Sequence, residues 1–170
     1  AGAFGASNVS NALGFYVEAG AEDSTLDDAI AANAHLFITL EAAAGGLSLA
    51  GKRVAFTIRR YDYFAPREYS VMTSVGGFTA GQELLITPVL GNEDTAPHSY
   101  SLVLPEEGFA SVTGVFQLRI YAHRARYSSH RTSMSAFSIV DTPPAAPSNL
   151  VATALDAHQI GLTWSDASGN

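Results

Sequence analysis

KRVAFTIRRYDYFAPREYSVMTSVGGF, residues 52–78, decides the fold. Val54, Phe56 and Ile58 alternate with Arg53, Ala55, Thr57 and Arg59, the two-residue period of a half-buried strand. A polar, aromatic turn with Pro66 interrupts the pattern. It resumes as Tyr69, Val71, Thr73 and Val75 against Ser70, Met72 and Ser74, and Gly76-Gly77 ends it. Two adjacent strands of this kind commit the domain to antiparallel sheet.

Working outward, strand signals recur at regular spacing. Residues 35–41 alternate Leu36, Ile38 and Leu40, and residues 83–90 (ELLITPVL) carry Pro88, which suggests an edge or a bulge. Residues 98–104, 115–123 and 133–140 complete the set. In residues 115–123, Phe116, Leu118, Ile120 and Ala122 face one way, with Gln117, Arg119, Tyr121 and His123 facing the other. Phe137 and Ile139 are expected in the core. Toward the start, residues 4–9 and 14–19 read as short edge strands. Residues 21–33 read as a turn of helix capped by Ser24 or Thr25. Eight or nine strands joined by turns predict an all-β, jelly-roll-type antiparallel β-sandwich over residues 1–141. An immunoglobulin-like sandwich is the alternative. Residues 142–149 form a Pro-rich linker, and residues 150–170 begin a new unit with two short strands.

The totals bound the function. With 170 residues and 47% hydrophobic side chains the chain can bury a real core. Only 15% of residues are charged, so Ser, Thr, Asn and Gly must carry solubility, a composition common in extracellular β-proteins. The absence of cysteine excludes disulfides, thiolate metal sites and cysteine nucleophiles. A net charge of −7 argues against nucleic acid, whose binding rests on cationic surface. No apolar run approaches the ~20 residues of a membrane span. The start has neither the basic nor the apolar region of a signal peptide, and it lacks an initiator Met, as a processed or excised segment would.

The tail PAAPSNLVATALDAHQIGLTWSDASGN resembles the opening of a fibronectin type III domain. The resemblance rests on Pro147 before the first strand, Leu150 and Ala152 within it, and Ile160-x-Leu162-x-Trp164 in the second. Residues 6–140 resemble a bacterial jelly-roll repeat of large cell-surface proteins. Phe56–Arg60 with its paired arginines, Pro66, Ser74–Phe78 and Phe116–His123 carry that resemblance. Gly76 stands where the family usually has an acidic residue, and Ala136 or Ser138 sits near its usual aspartate. If those acids normally pair with the strand arginines, Arg59, Arg60 and Arg119 need other partners here. The resemblance implies extracellular modularity, and no activity transfers with it.

Several groups of residues are candidates for function. Tyr61, Tyr63, Phe64 and Arg67, around Asp62, combine aromatic faces with polar groups, as carbohydrate sites do. The bland alternative folds two of those rings inward as a mini-core. Arg119, His123, Arg124, Arg126, His130 and Arg131 hold four of the nine basic residues and two histidines. They form an anion-facing patch or a solvated loop. His123 and His130, seven apart with no third ligand in register, are a poor zinc pair, and no metal site is assigned. Structural calcium is possible on Glu22, Asp23, Asp27, Asp28, Asn92, Glu93 and Asp94, although none of them fits a defined loop motif. Catalysis has little support. There is no G-x-S-x-G, and the adjacent Glu106 and Glu107 would face opposite ways in a strand.

Two functions follow as expectations. One is a non-catalytic extracellular structural or adhesive module of a multidomain surface or matrix protein. Its partners would be neighbouring domains or further copies, met through an assembly strand carrying Leu150, Ile160, Leu162 and Trp164. The other is a carbohydrate-binding module that meets a polysaccharide through the aromatic loop.

Overall fold

The computed structural model describes residues 13–16, 24–127, 130–142, 148–154 and 160–165. The expected strand at 4–9, the acids Glu22 and Asp23, linker residues 143–147 and the final turn lie outside them. So do the side chains of Arg131, Leu150, Ile160, Leu162 and Trp164. The described chain separates into two compact units, 1–140 and 141–170.

Among the described residues, unit one holds eight strands: β1 (Leu13–Tyr16), β2 (His35–Glu41), β3 (Lys52–Arg60), β4 (Glu68–Thr73), β5 (Leu85–Ile86), β6 (Pro97–Val103), β7 (Val115–His123) and β8 (Arg131–Asp141). They form two four-stranded sheets, ordered β1-β8-β3-β6 and β2-β7-β4-β5. The strands pair from the outside in and antiparallel: β1 with β8, β2 with β7, β3 with β6, and β4 with β5. This is one long hairpin rolled into two sheets. The first unit is therefore an antiparallel jelly-roll β-sandwich.

β3 and β4, consecutive in sequence, lie in different sheets. Residues 61–67 cross from one sheet to the other, because a seven-residue connection with Pro66 is too long for a tight hairpin. The core lies between the sheets. Val54, Phe56 and Ile58 of β3 face Tyr69 and Val71 of β4 and Phe116, Leu118 and Ile120 of β7, all essentially inaccessible. Tyr69 also ties the layers together. Its hydroxyl donates to Pro66 O at 2.9 Å and lies 2.9 Å from Thr132 Oγ1 on β8.

One expectation changes, and two hold with refinements. The strand expected over 83–90 has ladder pairing only at Leu85 and Ile86, at the sheet edge beside Pro88, which has no N–H to donate. In β8, Thr132 and Met134 are buried, yet Phe137 and Ile139 are the next core contacts. The side-chain phase slips at Ala136, whose φ of 51° is that of a bulge. On β7, Tyr121 and His123 are buried although they point away from the core. The helix α1 (Leu26–Ala31) and the chain just before it cover that face.

Local signals fix α1. Thr25 caps it in a capping box with Asp28. Asn33, at φ 54°, ends it. Ala34 N donates to Ala29 O and Asn33 N to Ile30 O, the Schellman pattern. At the far end of the sandwich, Gly108 has φ 79°, and a Cβ there would stand 2.7 Å from Val75 Cγ1. Gly108→Ala is expected to destabilise the domain by about 1–3 kcal/mol in urea melts.

Unit two contains β9 (Ser148–Ala154) and β10 (Ile160–Ser165), paired antiparallel. Both outer edges of this ladder lack a strand partner among the described residues.

Candidate functional site

Connections leaving one end of the sandwich converge: 61–67 after β3, 87–96 after β5 and 124–130 after β7. Arg60 organises them. It continues the inward phase of Val54, Phe56 and Ile58, and no part of it is exposed. Its guanidinium donates from Nε to Ala65 O (3.2 Å) and from Nη2 to Tyr63 O (2.9 Å). Nη1 donates to Gly91 O (2.6 Å) and Asp94 O (3.0 Å). One cation thus holds four carbonyls of two loops. Burial lowers its pKa, and the bonded carbonyls satisfy its donors.

Asp62 shapes the aromatic loop. Its Oδ1 accepts from the amides of Phe64 (2.8 Å) and Ala65 (3.0 Å), and its Oδ2 lies 3.0 Å from His130 Nδ1. Burial raises the Asp62 pKa, but the bonds from His130, Phe64 and Ala65 outweigh it and leave the carboxyl below its ordinary value. The Phe64 ring centroid lies 3.9 Å from that of Tyr63, 4.9 Å from that of Tyr127 and 4.9 Å from that of His130. Phe64 is the partly buried floor. Tyr61, Tyr63 and Tyr127 are exposed at 57%, 49% and 51%. Arg67 donates to Asn92 Oδ1 at 2.9 Å and reaches the Arg124 carbonyl at 3.4 Å. Three half-exposed tyrosines beside a fixed Asp–His pair can stack on a ring while polar neighbours meet its hydroxyls.

Tyr127 is the member that the sequence reading missed. It lies some sixty residues from Tyr63, so only the shared end of β3 and β7 unites them. The antiparallel connectivity was the available signal.

The described members of the basic stretch have different surroundings. Arg119 lies 3.8 Å over the Phe78 ring and bonds Gln117 Oε1 and the Tyr121 hydroxyl, on the outer sheet face. His123 is 4% exposed. Arg124 pairs with Glu68, and His130 with Asp62. Arg126 is exposed, and its amide donates to Phe64 O.

Ser70, His123 and Glu68 form a serine–histidine–acid series. Ser70 Oγ lies 3.0 Å from His123 Nε2, and His123 Nδ1 lies 3.6 Å from Glu68 Oε2. Burial lowers the His123 pKa against the pull of Glu68. Ser70 is fully buried in a strand flanked on both sides, so the amides beside it are engaged in the sheet. Free N–H groups for an oxyanion are therefore lacking at this serine. The series is a satisfied polar network.

Three of the residues proposed for calcium are engaged elsewhere. Asp28 caps α1, Asn92 accepts from Arg67, and Asp94 pairs with His98 at 2.9 Å. Among the described residues no three His, Asp or Glu side chains cluster as a metal site would. No described helix is long and apolar enough to cross a membrane.

No protein-family model matches the chain, and no curated protein matches it. Among solved structures it is similar to the K1 cleaved adhesin domain of Lys-gingipain from Porphyromonas gingivalis W83. That likeness has 16% identity and a TM-score of 0.39, over 64% of this chain and 63% of that one. A second is the CBM27-1 of Caldicellulosiruptor saccharolyticus in complex with mannohexaose, at 13%, TM-score 0.42, over 63% and 66%. A third, an arabinose-bound MgGH51 α-L-arabinofuranosidase, gives 14% and 0.46 over 82% of this chain and 21% of that one. Less than two thirds of each of these structures is spanned. At such identities and scores the function has to be read from the residues themselves.

Proposed function

We propose that the chain is a non-catalytic extracellular adhesive module that binds a neutral polysaccharide through Tyr61, Tyr63 and Tyr127. The observation that carries this reading is the half-exposed pair Tyr63 and Tyr127 against Phe64, beside the Asp62–His130 pair, with Tyr61 half-exposed next to Asp62. A loop that merely closed a core would bury those rings. The low charge of the chain supports an extracellular site. Affinity electrophoresis through gels containing soluble neutral polysaccharides tests the proposal. Retardation by at least one of them is expected, and free migration through a broad panel would contradict it.

Residues 142–170 are proposed as the start of a following domain of fibronectin type III kind, or as an assembly strand for another copy. The antiparallel β9–β10 ladder, whose outer edges have no strand partner among the described residues, supports either use. Light scattering on residues 1–170 beside a chain ending at Asp141 separates the two. Concentration-dependent growth of the longer chain alone is the mark of assembly.

A further inference from the structure

Beside the buried Ser70–His123 pair the outer face of the β2-β7-β4-β5 sheet opens into a cavity of about 280 Å³. Leu26 and Ile86 give it apolar walls, and Ser24, Glu68 and Arg124 bring polar groups to it. Its volume is near the lower edge of the roughly 300–1,000 Å³ typical of small-molecule sites, room for one ring and not for a chain. Arg124 stands in a left-handed backbone, φ 56°, unusual for a bulky side chain. Its amide donates to Ser24 O at 2.7 Å and its carbonyl receives Arg67 Nε, so the surroundings hold it there. Strain of this kind gathers at sites that clamp a ligand.

The lining selects the chemistry. Glu68 and Arg124 pair with one another at the cavity, so the lining offers no uncompensated charge to an anion or a cation. Acyl transfer fails for want of an oxyanion site at Ser70. What remains is a neutral ligand rich in hydroxyls. Glu68 accepts from it, Arg124 and the Ser24 hydroxyl donate to it, and Ile86 and Leu26 cover its apolar face.

We infer that this cavity is a second contact for carbohydrate, holding a single sugar ring against Ile86 and the paired Glu68 and Arg124. The inference rests on the proposed ligand class, and residues 124–127 join the cavity to the tyrosine face. Arg124 lines the one, and Tyr127 stands in the other.

The test is amide-resolved NMR titration of the whole chain with single-ring methyl glycosides. They are taken to about 50 mM, enough to populate a site of millimolar Kd. Shifts centred on Ser24, Glu68, Ser70, Ile86 and Arg124 are expected. Ile86→Trp, at a position 52% exposed, fills the mouth and is expected to abolish them without altering the Tm. Glu68→Gln is expected to weaken them about tenfold. Tyr63→Ala is expected to leave them unchanged. Shifts confined to residues 61–64 and 126–130 would overturn the cavity and leave the tyrosine face standing. Shifts nowhere, or unchanged binding in Ile86→Trp, would also overturn it.

Discussion

Arg60→Met is expected to lower the unfolding free energy by about 3–5 kcal/mol, read from denaturant melts. Methionine fills much of the space but donates nothing. The carbonyls of Tyr63, Ala65, Gly91 and Asp94 then lose their shared donor in a buried setting. Each charge-assisted bond of this kind contributes about 1.5–3 kcal/mol, and relaxation of the loops recovers part of the sum. Arg60→Lys keeps the charge but not the planar fork, so it is expected to fall between the two. Because both loops flank the tyrosines, polysaccharide binding should weaken together with stability. A Tm unchanged in Arg60→Met would mean that the loops hold themselves.

Phe64→Ala carries the second large effect. Its ring is partly buried and supports Tyr63, Tyr127 and His130 at once. Truncation leaves a gap under three rings, for about 2–4 kcal/mol of stability. Binding is expected to fall at least tenfold although Phe64 does not itself meet the ligand, because the rings above it lose their common orientation. Phe64→Leu, which refills most of the volume, should restore most of the stability and only part of the binding. Equal restoration of both would show that packing alone matters at this position.

The two variants also mark what the sequence disclosed. Strand phase was legible wherever one face is buried. Val54, Phe56 and Ile58 announce their side, and the same count carried two residues further puts Arg60 inside. An arginine in a core phase is a signal that the eye passes over as a strand end. The jelly-roll class followed from the number and spacing of the strands, while the pairing of distant strands did not. What escaped were effects set by contacts distant in sequence. The burial of His123 depends on α1 lying over its face, and alternation on β7 carries no trace of a second layer. The slip at Ala136 is a backbone event at a residue whose type gives no warning. The short ladder of β5 follows from its place at an edge, where Pro88 is tolerated but pairing lapses. In the aromatic loop, Tyr61, Tyr63 and Phe64 were visible as a group. Division of labour among them was not, since it takes Tyr127 and His130 from another loop to make Phe64 the floor. The partners of the basic stretch were hidden for a related reason. Glu68 and Asp62 come from a strand and a turn far away in sequence to pair with Arg124 and His130.

The central claim is that the exposed tyrosines are a carbohydrate face. Calorimetric titration of the wild type and of Tyr63→Ala/Tyr127→Ala, side by side with soluble neutral polysaccharides, tests it most directly. Both side chains are about half exposed but pack on Phe64, so the titrations are run well below the melting transitions of both proteins. Saturable heat from the wild type, weakened about 100-fold in the variant, is the result expected if each ring contributes about 1.4 kcal/mol. Equal affinity in the two proteins, or no heat from the wild type with any polysaccharide, would contradict the claim.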